Sequence, residues 1–358
     1  MSDVYSIPSR DLGPRRLTVE LTNTCNLHCS YCLRDDDALH HAPANFMSVE
    51  FFESLLKQAK QAIGIAEVTF TGGEPTLHPK FGEILALVAE NGLRTSFVTN
   101  GWNFEKLWPK LVAHRDSVTH VAFSLDGPTR EDHDRWRGDG SFVRVVRAFS
   151  LCFAGALPFV VKVGIRRDTF ERLEQIALFA ARMGAAGLSF GHVMPTSSDV
   201  EDGSALSLEE RQRVELEIAG LARIFKMKIG IDVGYANLDP RPPCSPLAGL
   251  SGNVDYQGRL SVCCNLSGFR GGVGEEDVAA DLNEQDFATA YAALSQIQGN
   301  MLKTRERRLS SVLDESTIDL YTASPCLLCL DTFGKLPWRQ TRIQKPIAAK
   351  ALPVLGAI

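Results

Sequence analysis

Apolar and polar positions follow two different periods along the first two thirds of the chain. Short runs rich in β-branched and aromatic residues predict strands. Six such runs are RLTVEL (16–21), EVTF (67–70), LRTSFVT (93–99), VTHVAFSL (118–125), FVVKVGI (159–165) and GLSFGHV (187–193). A seventh run, MKIGIDV (227–233), predicts an extra strand.

Stretches with a helical period lie between these strands, and several carry capping signals. Helices are predicted over about 49–62, from Pro79 to Asn91-Gly92, over 103–113 and 141–155, from Asp168 to Met183, and from Ser207 to about 225. Ser48 is expected to cap the first helix. Asp168 with Glu171, and Ser207 with Glu210, have the spacing of capping boxes.

This order of elements predicts an α/β fold. Parallel strands need crossover connections, so six strand–helix units in series predict a parallel sheet. Six units would form a partial (β/α)6 version of the TIM-type barrel, whose chemistry lies at the carboxyl ends of the strands. Polar or glycine-rich residues follow each predicted strand: a cysteine group, TGGEPT (71–76), TNG (99–101), SLDGP (124–128), RRD (166–168) and His192 to Pro195. We therefore expect one site across this edge of the sheet.

Near residue 236 the alternation of predicted strands and helices ends at the proline-rich segment ANLDPRPPCSP. The predicted organisation is an N-terminal segment (1–15), a barrel (16–236), a small second domain (237–336) and a C-terminal tail (337–358). A chain of 358 residues is long enough for both domains.

Composition excludes several classes of function. The net charge of −5 gives no basis for binding nucleic acid or an anionic membrane surface. The polar start has no apolar signal-peptide core, and no run approaches the roughly 18 apolar residues that a membrane span needs. We therefore expect a cytoplasmic protein without a membrane partner.

Nine cysteines fall mainly into two groups, one near each end of the chain. Without a secretory signal, these groups predict ligand sets rather than disulfides. The first is Cys25-x3-Cys29-x2-Cys32. It could be a zinc site completed by His28, His40 or Cys152. Alternatively, three thiolates could hold an iron–sulfur cluster in which one iron lacks a protein ligand.

Together with the turn after the second strand, this group resembles the radical S-adenosylmethionine (SAM) superfamily. The matching residues are Cys25-x3-Cys29-x-Tyr31-Cys32 and the run Gly72-Gly73-Glu74-Pro75. The resemblance implies a [4Fe–4S] cluster whose open iron is chelated by the methionine moiety of SAM. It also implies reductive cleavage of SAM to methionine and a 5′-deoxyadenosyl radical, which abstracts hydrogen from a substrate. The GGEP run would hold the SAM amino group, with the glycines allowing close approach.

Further matches extend this resemblance along the strand ends. Asn100 and Ser124 lie where the family contacts SAM, and Met194 would meet the adenine. Residues 124–142 resemble radical SAM enzymes with SPASM or twitch extensions, in which an HD-x-x-R pattern recurs as His133, Asp134 and Arg137. Arg137 is then a candidate partner for the SAM carboxylate. A surface salt-bridge cluster and a packed methionine are the alternatives.

The second cysteine group resembles a SPASM/twitch domain. Cys244 is followed by 13 residues, Gly258, four residues and Cys263, and Cys326-x2-Cys329 would complete four ligands. No cysteine follows Cys329, so the resemblance implies a twitch with one auxiliary [4Fe–4S] cluster. A structural zinc ribbon is the alternative. Cys264 could replace Cys263, although Gly-x4-Cys favours Cys263, and Cys152 is expected to be a buried core thiol.

These features predict a radical SAM oxidoreductase with two [4Fe–4S] clusters and an electron donor such as flavodoxin or ferredoxin. About 15 residues precede the first strand, which leaves no room there for a peptide-recognition domain. A twitch with a single cluster also resembles that of small-molecule dehydrogenases. Together, these two features favour oxidative modification of a small natural-product precursor. Modification of a ribosomally made peptide is the alternative, and a non-catalytic metal-binding scaffold is a minor one. No acid or base is assigned.

Overall fold

In the computed structural model, residues 15–272, 274–312 and 318–339 are described, and their strands form one ten-stranded sheet. The strands are β1 (Arg16–Glu20), β2 (Glu67–Thr71), β3 (Arg94–Thr99), β4 (Val118–Ser124), β5 (Phe159–Ile165), β6 (Gly187–His192), β7 (Lys228–Val233), β8 (Ser251–Val254), β9 (Arg259–Ser261) and β10 (Val278–Asp281). Their order in the sheet is β10-β9-β8-β1-β2-β3-β4-β5-β6-β7.

Strands β1 to β7 are parallel to their neighbours, which confirms the predicted parallel sheet and the extra strand β7. The α-helices that cover it are α1 (Val49–Ile63), α2 (Phe81–Glu90), α3 (Phe104–Ala113), α4 (Arg130–Arg137), α5 (Ser141–Ala154), α6 (Leu173–Arg182), α7 (Ser197–Glu201), α8 (Leu208–Ile224), α9 (Phe287–Ser310), α10 (Leu320–Ala323) and α11 (Pro325–Thr332). The α/β partial-barrel architecture is therefore as predicted.

Strand and helix patterns bury one continuous core between the sheet and the helices. In β5, every second residue from Phe159 to Ile165 is buried. Phe81 on α2 packs edge-to-face against Phe70 and Phe97 on the strands below, with ring centroids 5.8 and 5.4 Å apart. Burying each such side chain stabilises the fold by roughly 1.5–3 kcal/mol. Cys152 is fully buried on α5, as expected for a core thiol.

The segment after residue 237 extends the barrel sheet. Strand β8 pairs in parallel with β1, and β9 pairs antiparallel with β8. Helix α9 packs against α1 and β10. A buried polar contact crosses the join, because Asn253 Nδ2 donates to Glu20 Oε1 at 2.8 Å, and Glu20 also pairs with Arg34 at 2.8 Å. The predicted division at 236–237 remains a prediction, and the two parts share one sheet.

Two of the three predicted caps are confirmed and one is wrong. Ser48 caps α1, and Ser207 with Glu210 forms a capping box at α8. The box predicted at Asp168 and Glu171 is absent, because a short 3₁₀ turn precedes α6, which begins at Leu173 without a side-chain cap. The Asp168 carboxylate instead accepts a hydrogen bond from Trp136 Nε1 at 2.7 Å.

The remaining differences are at the margins of the predictions. Helix α2 begins at Phe81 rather than at Pro79. Residues 1–14 of the predicted N-terminal segment and 340–358 of the predicted tail lie outside the described residues. No helix in the described part of the chain is both long enough and apolar enough to cross a membrane.

Candidate active site

The carboxyl ends of the parallel strands surround a cavity of about 320 Å³. Eleven of the residues that the sequence assigned to a site line it: Cys25, Cys29, Tyr31, Cys32, Gly72, Gly73, Glu74, Asn100, Ser124, Arg137 and Met194. Pro75 lies just outside the lining and begins a buried 3₁₀ turn. The structure thus brings together residues that are up to 169 positions apart, from Cys25 to Met194.

The first cysteine loop rests directly on the GGEP turn. Gly73 N donates to Thr22 O at 2.9 Å, and Glu74 N donates to Thr24 O at 2.8 Å. A Cβ atom on Gly73 would lie 2.0 Å from Thr24 O, so any side chain would push away the strand end that leads into Cys25. The glycines were predicted to admit a ligand. The structure adds that Gly73 allows two backbone segments to touch.

Glu74 is a buried anchor between neighbouring strand ends. Its carboxylate accepts hydrogen bonds from Asn100 N at 2.8 Å, Thr99 Oγ1 at 2.8 Å and Thr76 Oγ1 at 2.6 Å. Burial raises the pKa of Glu74, although these donors oppose the shift. Asn100 is held further by its Nδ2 donation to Asn26 Oδ1 at 3.0 Å, within the cysteine loop. Glu74 therefore fixes the GGEP turn against β3 and the cysteine loop.

A buried carboxylate with two guanidiniums lies behind one wall of the cavity, to which Arg137 and Tyr31 contribute. Asp126 Oδ2 accepts from Arg137 Nε and from the Tyr31 hydroxyl, and Asp126 Oδ1 accepts from Arg166 Nη1 at 2.8 Å. Arg137 Nη2 also donates to the Tyr31 oxygen at 2.6 Å. Burial alone would raise the pKa of Asp126, but Arg137 and Arg166 hold it well below its usual range. The ionised carboxylate therefore fixes Arg137 and Tyr31 beside the cysteines.

Only one residue of the HD-x-x-R pattern reaches the cavity. His133 Nδ1 accepts from Asp126 N at 3.1 Å, and burial followed by the charge of Arg137 lowers the pKa of His133 to about 4. The Asp134 carboxylate accepts from the backbone N–H groups of Gly140 and Phe142 at 2.9 and 2.7 Å. His133 and Asp134 therefore hold the α4–α5 connection, and this places Arg137.

The spacing of the cysteine sulfurs bears on which cofactor they fit. Tetrahedral zinc with Zn–S bonds of about 2.3 Å requires sulfurs about 3.8 Å apart. Within residues 15–272, 274–312 and 318–339, three potential metal-ligand atoms lie within 4.8 Å of one another at His28, Asp36 and His40. Neither cysteine group places three sulfurs that close together. An iron–sulfur cluster is larger than a single zinc ion and accommodates thiolates that lie further apart. Cys152, considered as a zinc ligand, lies in the core of α5.

The first group consists of partly exposed thiols on the cavity wall. Burial, with a smaller contribution from the Glu74 charge, raises the pKa of Cys25 to about 12, and burial raises that of Cys29. Such thiols become ligands only when a cation replaces their protons. Three thiols beside a cavity form a ligand set with room for a further ligand.

The second group comprises Cys244, Cys263, Cys326 and Cys329, none of which lines the cavity. Burial raises the pKa of Cys326 to about 12, and the neighbouring Cys244 adds to this shift. Burial, then Cys244 and Cys326, raise the pKa of Cys329 well above its usual range. Cys263 also feels the charge of Cys244. Cys244 is therefore the common neighbour of the other three thiols.

The structure separates Cys263 from Cys264. Cys264 lines the cavity together with Asn265, while Cys263 does not line it and lies near Cys244. The Cys263 thiol, which donates to Cys264, and the Arg34 guanidinium lower the pKa of Cys264. This arrangement agrees with the Gly-x4-Cys spacing that favoured Cys263.

Several cavity residues were missed because they lie within strands. Lys162 on β5 and Asp232 on β7 both line the cavity, and Lys162 Nζ donates to Asp232 Oδ2 at 2.6 Å. Their signal was a charged residue within an otherwise apolar strand, since alternate residues of a barrel strand point into the interior. Asp126 and Arg166 lie in the strand-end runs SLDGP and RRD, but the sequence assigned them no role, because it does not reveal which strand ends pair.

Comparison with known proteins agrees with this geometry. A family profile described as "Radical SAM superfamily" matches residues 19–180. The PqqA peptide cyclase of Gluconobacter oxydans is 26% identical over 257 residues, which cover 70% of this chain and 70% of that protein. The mycofactocin maturase MftC of Mycobacterium tuberculosis is 31% identical over 252 residues, 70% of this chain and 62% of the relative. The chain thus spans less than two thirds of the maturase.

The fold is also found in a solved structure. Streptococcus suis SuiB bound to S-adenosylmethionine matches with a TM-score of 0.65 at 14% identity, covering 80% of this chain and 68% of that chain. At this identity the likeness concerns the fold alone. The profile match, together with the cysteine and GGEP residues on one cavity, shows that residues 19–180 form a radical SAM superfamily domain.

Proposed function

We propose that this chain is a radical SAM oxidoreductase that oxidatively modifies a C–H position of a ribosomally made peptide. The observation that carries the proposal is the convergence of Cys25, Cys29 and Cys32 with the GGEP turn on one cavity. A [4Fe–4S] cluster held by these thiolates supplies, with SAM and one electron, methionine and a 5′-deoxyadenosyl radical. Flavodoxin or ferredoxin is the proposed source of that electron.

The residues of the cavity wall would hold SAM. Arg137 presents a guanidinium whose orientation is fixed by Asp126 and Tyr31, and a guanidinium pairs well with a carboxylate. The backbone of Gly72 to Glu74, tied to β3 through Glu74, would receive the amino group. Asn100, Ser124 and Met194 line the same cavity and are the remaining candidates for SAM contacts.

Apolar side chains complete the wall and protect reactive species from water. Val98, Val163, Val193 and Met194 line the cavity beside the polar residues. Excluding water from a site suppresses side reactions and strengthens electrostatic interactions within it. The chain's contribution is therefore to bind, orient and shield.

The four-cysteine set is proposed to hold an auxiliary [4Fe–4S] cluster. Four thiolate ligands leave no iron open to substrate, so its proposed role is electron transfer. An auxiliary cluster held there would supply an electron acceptor: after removal of a hydrogen atom from the substrate, loss of one electron to that acceptor and of a proton to solvent would amount to a two-electron oxidation. All nine cysteines are free of disulfides, as suits the reducing cytoplasm in which we place the protein.

The relatives favour a peptide over a small molecule as substrate. These relatives are named as a peptide cyclase and a maturase, whereas the sequence alone favoured a small natural-product precursor. The two candidates can be separated by size and by protease. Extract from the source cells is divided at about 1 kDa, and each fraction is tested for stimulation of 5′-deoxyadenosine formation by the reconstituted enzyme.

The peptide proposal expects stimulation by the larger fraction that disappears after proteinase K treatment and removal of the protease. Stimulation by a protease-resistant small fraction would instead establish the small-molecule substrate. If both clusters load and dithionite with SAM yields no 5′-deoxyadenosine, then the chain is a metal-binding scaffold and the enzymatic proposal fails.

A further inference from the structure

Two arginines are buried among neutral partners. Arg211 on α8 is 2% exposed and Arg305 on α9 is fully buried. Arg211 donates to the carbonyl oxygens of Leu206, Gly234 and Val193 at 3.3 to 3.4 Å. Within the described ranges, neither Arg211 nor Arg305 forms an ion pair with a carboxylate. The carboxylates on and around their helices pair with other residues: Glu210 with Arg167, Glu215 with His192, and Asp331 with Arg308.

Arg305 shows the same pattern in another loop. Its Nη1 donates to Asp239 O at 2.5 Å, and its Nη2 donates to the Asn237 backbone oxygen and, at 3.0 Å, to Asn237 Oδ1. Its Nε has no hydrogen-bond partner. The Asp239 carboxylate is itself bound by the exposed Arg241.

Burying a charge without an opposite charge costs several kcal/mol, so such residues need a reason. The helices themselves do not force the burial. Each carries an exposed arginine two residues further along, Arg213 on α8 and Arg307 on α9. Glu215 supplies part of the opposite charge for Arg211, and the negative groups near both arginines include thiols of the second cysteine group.

Both arginines lie beside the four-cysteine set. Gly234 links Arg211 to it, because the Gly234 carbonyl accepts from Arg211 while its N–H donates to Cys326 Sγ at 3.3 Å. The loop that Arg305 binds is joined to the end of α10, directly before the Cys326–Cys329 helix, since Asn237 N donates to Ala323 O at 2.9 Å. Arg211 and Arg305 thus approach the set through different loops.

The electrostatics of the site agree with this placement. Burial lowers the pKa of Arg211 to about 10, while Glu215 and then Cys326 oppose the shift. Burial lowers the pKa of Arg305, while Tyr235, Asp239, Cys244 and Cys329 oppose it. Glu215 is also engaged by His192 and by Ala236 N, at 3.2 and 2.9 Å.

We propose that Arg211 and Arg305 are charge-balancing residues that raise the reduction potential of an auxiliary cluster held by Cys244, Cys263, Cys326 and Cys329. This rests on the auxiliary cluster of the proposed function. A [4Fe–4S] cluster with four thiolates carries about −2 when oxidised and about −3 when reduced, and nearby charge is one of the factors that set its potential. Two buried cations stabilise the more negative form. The cluster is then able to accept an electron from the substrate radical.

The test is a potentiometric titration followed by EPR. A full-length variant with Cys25, Cys29 and Cys32 replaced by alanine removes the first cluster, so the remaining signal is auxiliary. In this background, Arg211→Gln and Arg305→Gln should each lower the reduced-to-oxidised ratio at least tenfold at the parent midpoint. For a one-electron couple, this is a shift of about 59 mV.

Matched controls separate charge from packing. Arg213→Gln and Arg307→Gln remove exposed arginines from the same helices and should change the ratio by less than twofold. Arg211→Lys and Arg305→Lys keep the charge and should stay within about threefold of the parent, a change of less than 30 mV. Circular dichroism and iron content verify that each variant is folded and loaded.

The outcomes are distinguishable. Gln variants that shift the ratio no more than the surface controls overturn the proposal, as do Lys variants that shift it as far as Gln. If a Gln variant does not fold, the Lys variant decides, and failure of Lys to load or to keep the ratio also overturns it. A triple-cysteine variant with no iron–sulfur signal overturns the auxiliary cluster itself, and with it the proposed electron route.

Discussion

The two cysteine groups differ in number, surroundings and supporting charges. Cys25, Cys29 and Cys32 lie on the wall of an open cavity, whereas the four later cysteines lie away from it among buried side chains. Beside the first group, the cation Arg137 is paired with a buried carboxylate. Beside the second, buried cations are bound to carbonyl oxygens. The first group therefore has space for a further ligand beside it, whereas the proposed auxiliary cluster would have buried cations beside it.

The loops that carry the two groups are also held differently. The first depends on backbone contact with the GGEP turn, and therefore on Gly73. In the second, Cys263 follows strand β9, and Cys326 with Cys329 lies on helix α11. The difference is that the first group depends on one loop held by backbone contact, while half of the second group lies on a helix.

The largest expected effect comes from removing a ligand of the first cysteine group, Cys25, Cys29 and Cys32. Cys32→Ala should reduce SAM cleavage to background, because two thiolates do not hold the SAM-binding cluster. The double variant Cys326→Ala, Cys329→Ala should keep substrate-independent SAM cleavage within about threefold of the unmodified protein. These two cysteines do not line the cavity, so their loss should leave the SAM-binding cluster in place. HPLC of 5′-deoxyadenosine under dithionite measures both. Equal loss in the two variants would contradict a division between the sites.

The second prediction concerns the carboxylate beside the open site. Asp126→Asn should lower the free energy of unfolding by about 3–5 kcal/mol, because Arg137 and Arg166 lose a buried counter-charge. Urea unfolding at pH 7 measures the change. Asp239→Asn is the control, because its carboxylate pairs with the exposed Arg241, and no measurable change is expected.

The same carboxylate predicts a pH dependence. Because the pKa of Asp126 is lowered in the folded state, its stabilisation is complete above about pH 4 and is lost as pH falls toward the folded-state pKa. The stability difference between the unmodified protein and Asp126→Asn should therefore shrink below about pH 4. A difference that grew with acid would show that Asp126 is protonated in the fold.

The third prediction tests how the open loop is held. Gly73→Ala should destabilise the protein by about 1–3 kcal/mol and weaken SAM binding, because its Cβ meets the Thr24 backbone oxygen. Gly220→Ala lies in α8 with no atom within 4 Å of the added Cβ and should stabilise by about 0.5–1 kcal/mol. Thermal unfolding of both variants checks the difference in sign.

The last prediction distinguishes the two neighbouring cysteines, Cys263 and Cys264, as ligands of the auxiliary cluster. Cys263→Ser should remove about four of about eight iron atoms per chain, since a thiolate ligand of the auxiliary cluster is lost. Cys264→Ser should leave the iron content unchanged, because that thiol faces the cavity. Iron and sulfide analysis of the reconstituted variants decides, and iron loss in Cys264→Ser would place Cys264 among the ligands.

The barrel was predictable because its strands bury apolar side chains in a clear period. The C-terminal elements were not. Three of the four residues of β8, Ser251 to Asn253, are polar or glycine yet buried, since they pair with β1 and hydrogen-bond across it. Helix α9 buries Gln298 and Arg305, which obscures its apolar face.

The candidate site also had a part that was predictable from the sequence and a part that was not. Short motifs with fixed spacing located the cysteines and the GGEP turn, because the chain itself sets their geometry. The partners of Arg137 lie 11 and 106 positions away in Asp126 and Tyr31, so only the fold brings them together. The separation of Cys263 from Cys264 likewise depends on the direction of each side chain after β9.

The most direct test of the central claim is EPR of the reduced protein with and without SAM, recorded for two variants. With Cys326 and Cys329 replaced by alanine, only the three-cysteine cluster remains, and SAM should change its spectrum. With Cys25, Cys29 and Cys32 replaced, only the auxiliary cluster remains, and SAM should leave its spectrum unchanged. A SAM response from the second variant, or none from the first, would contradict an open site at the cavity and a closed one beside it.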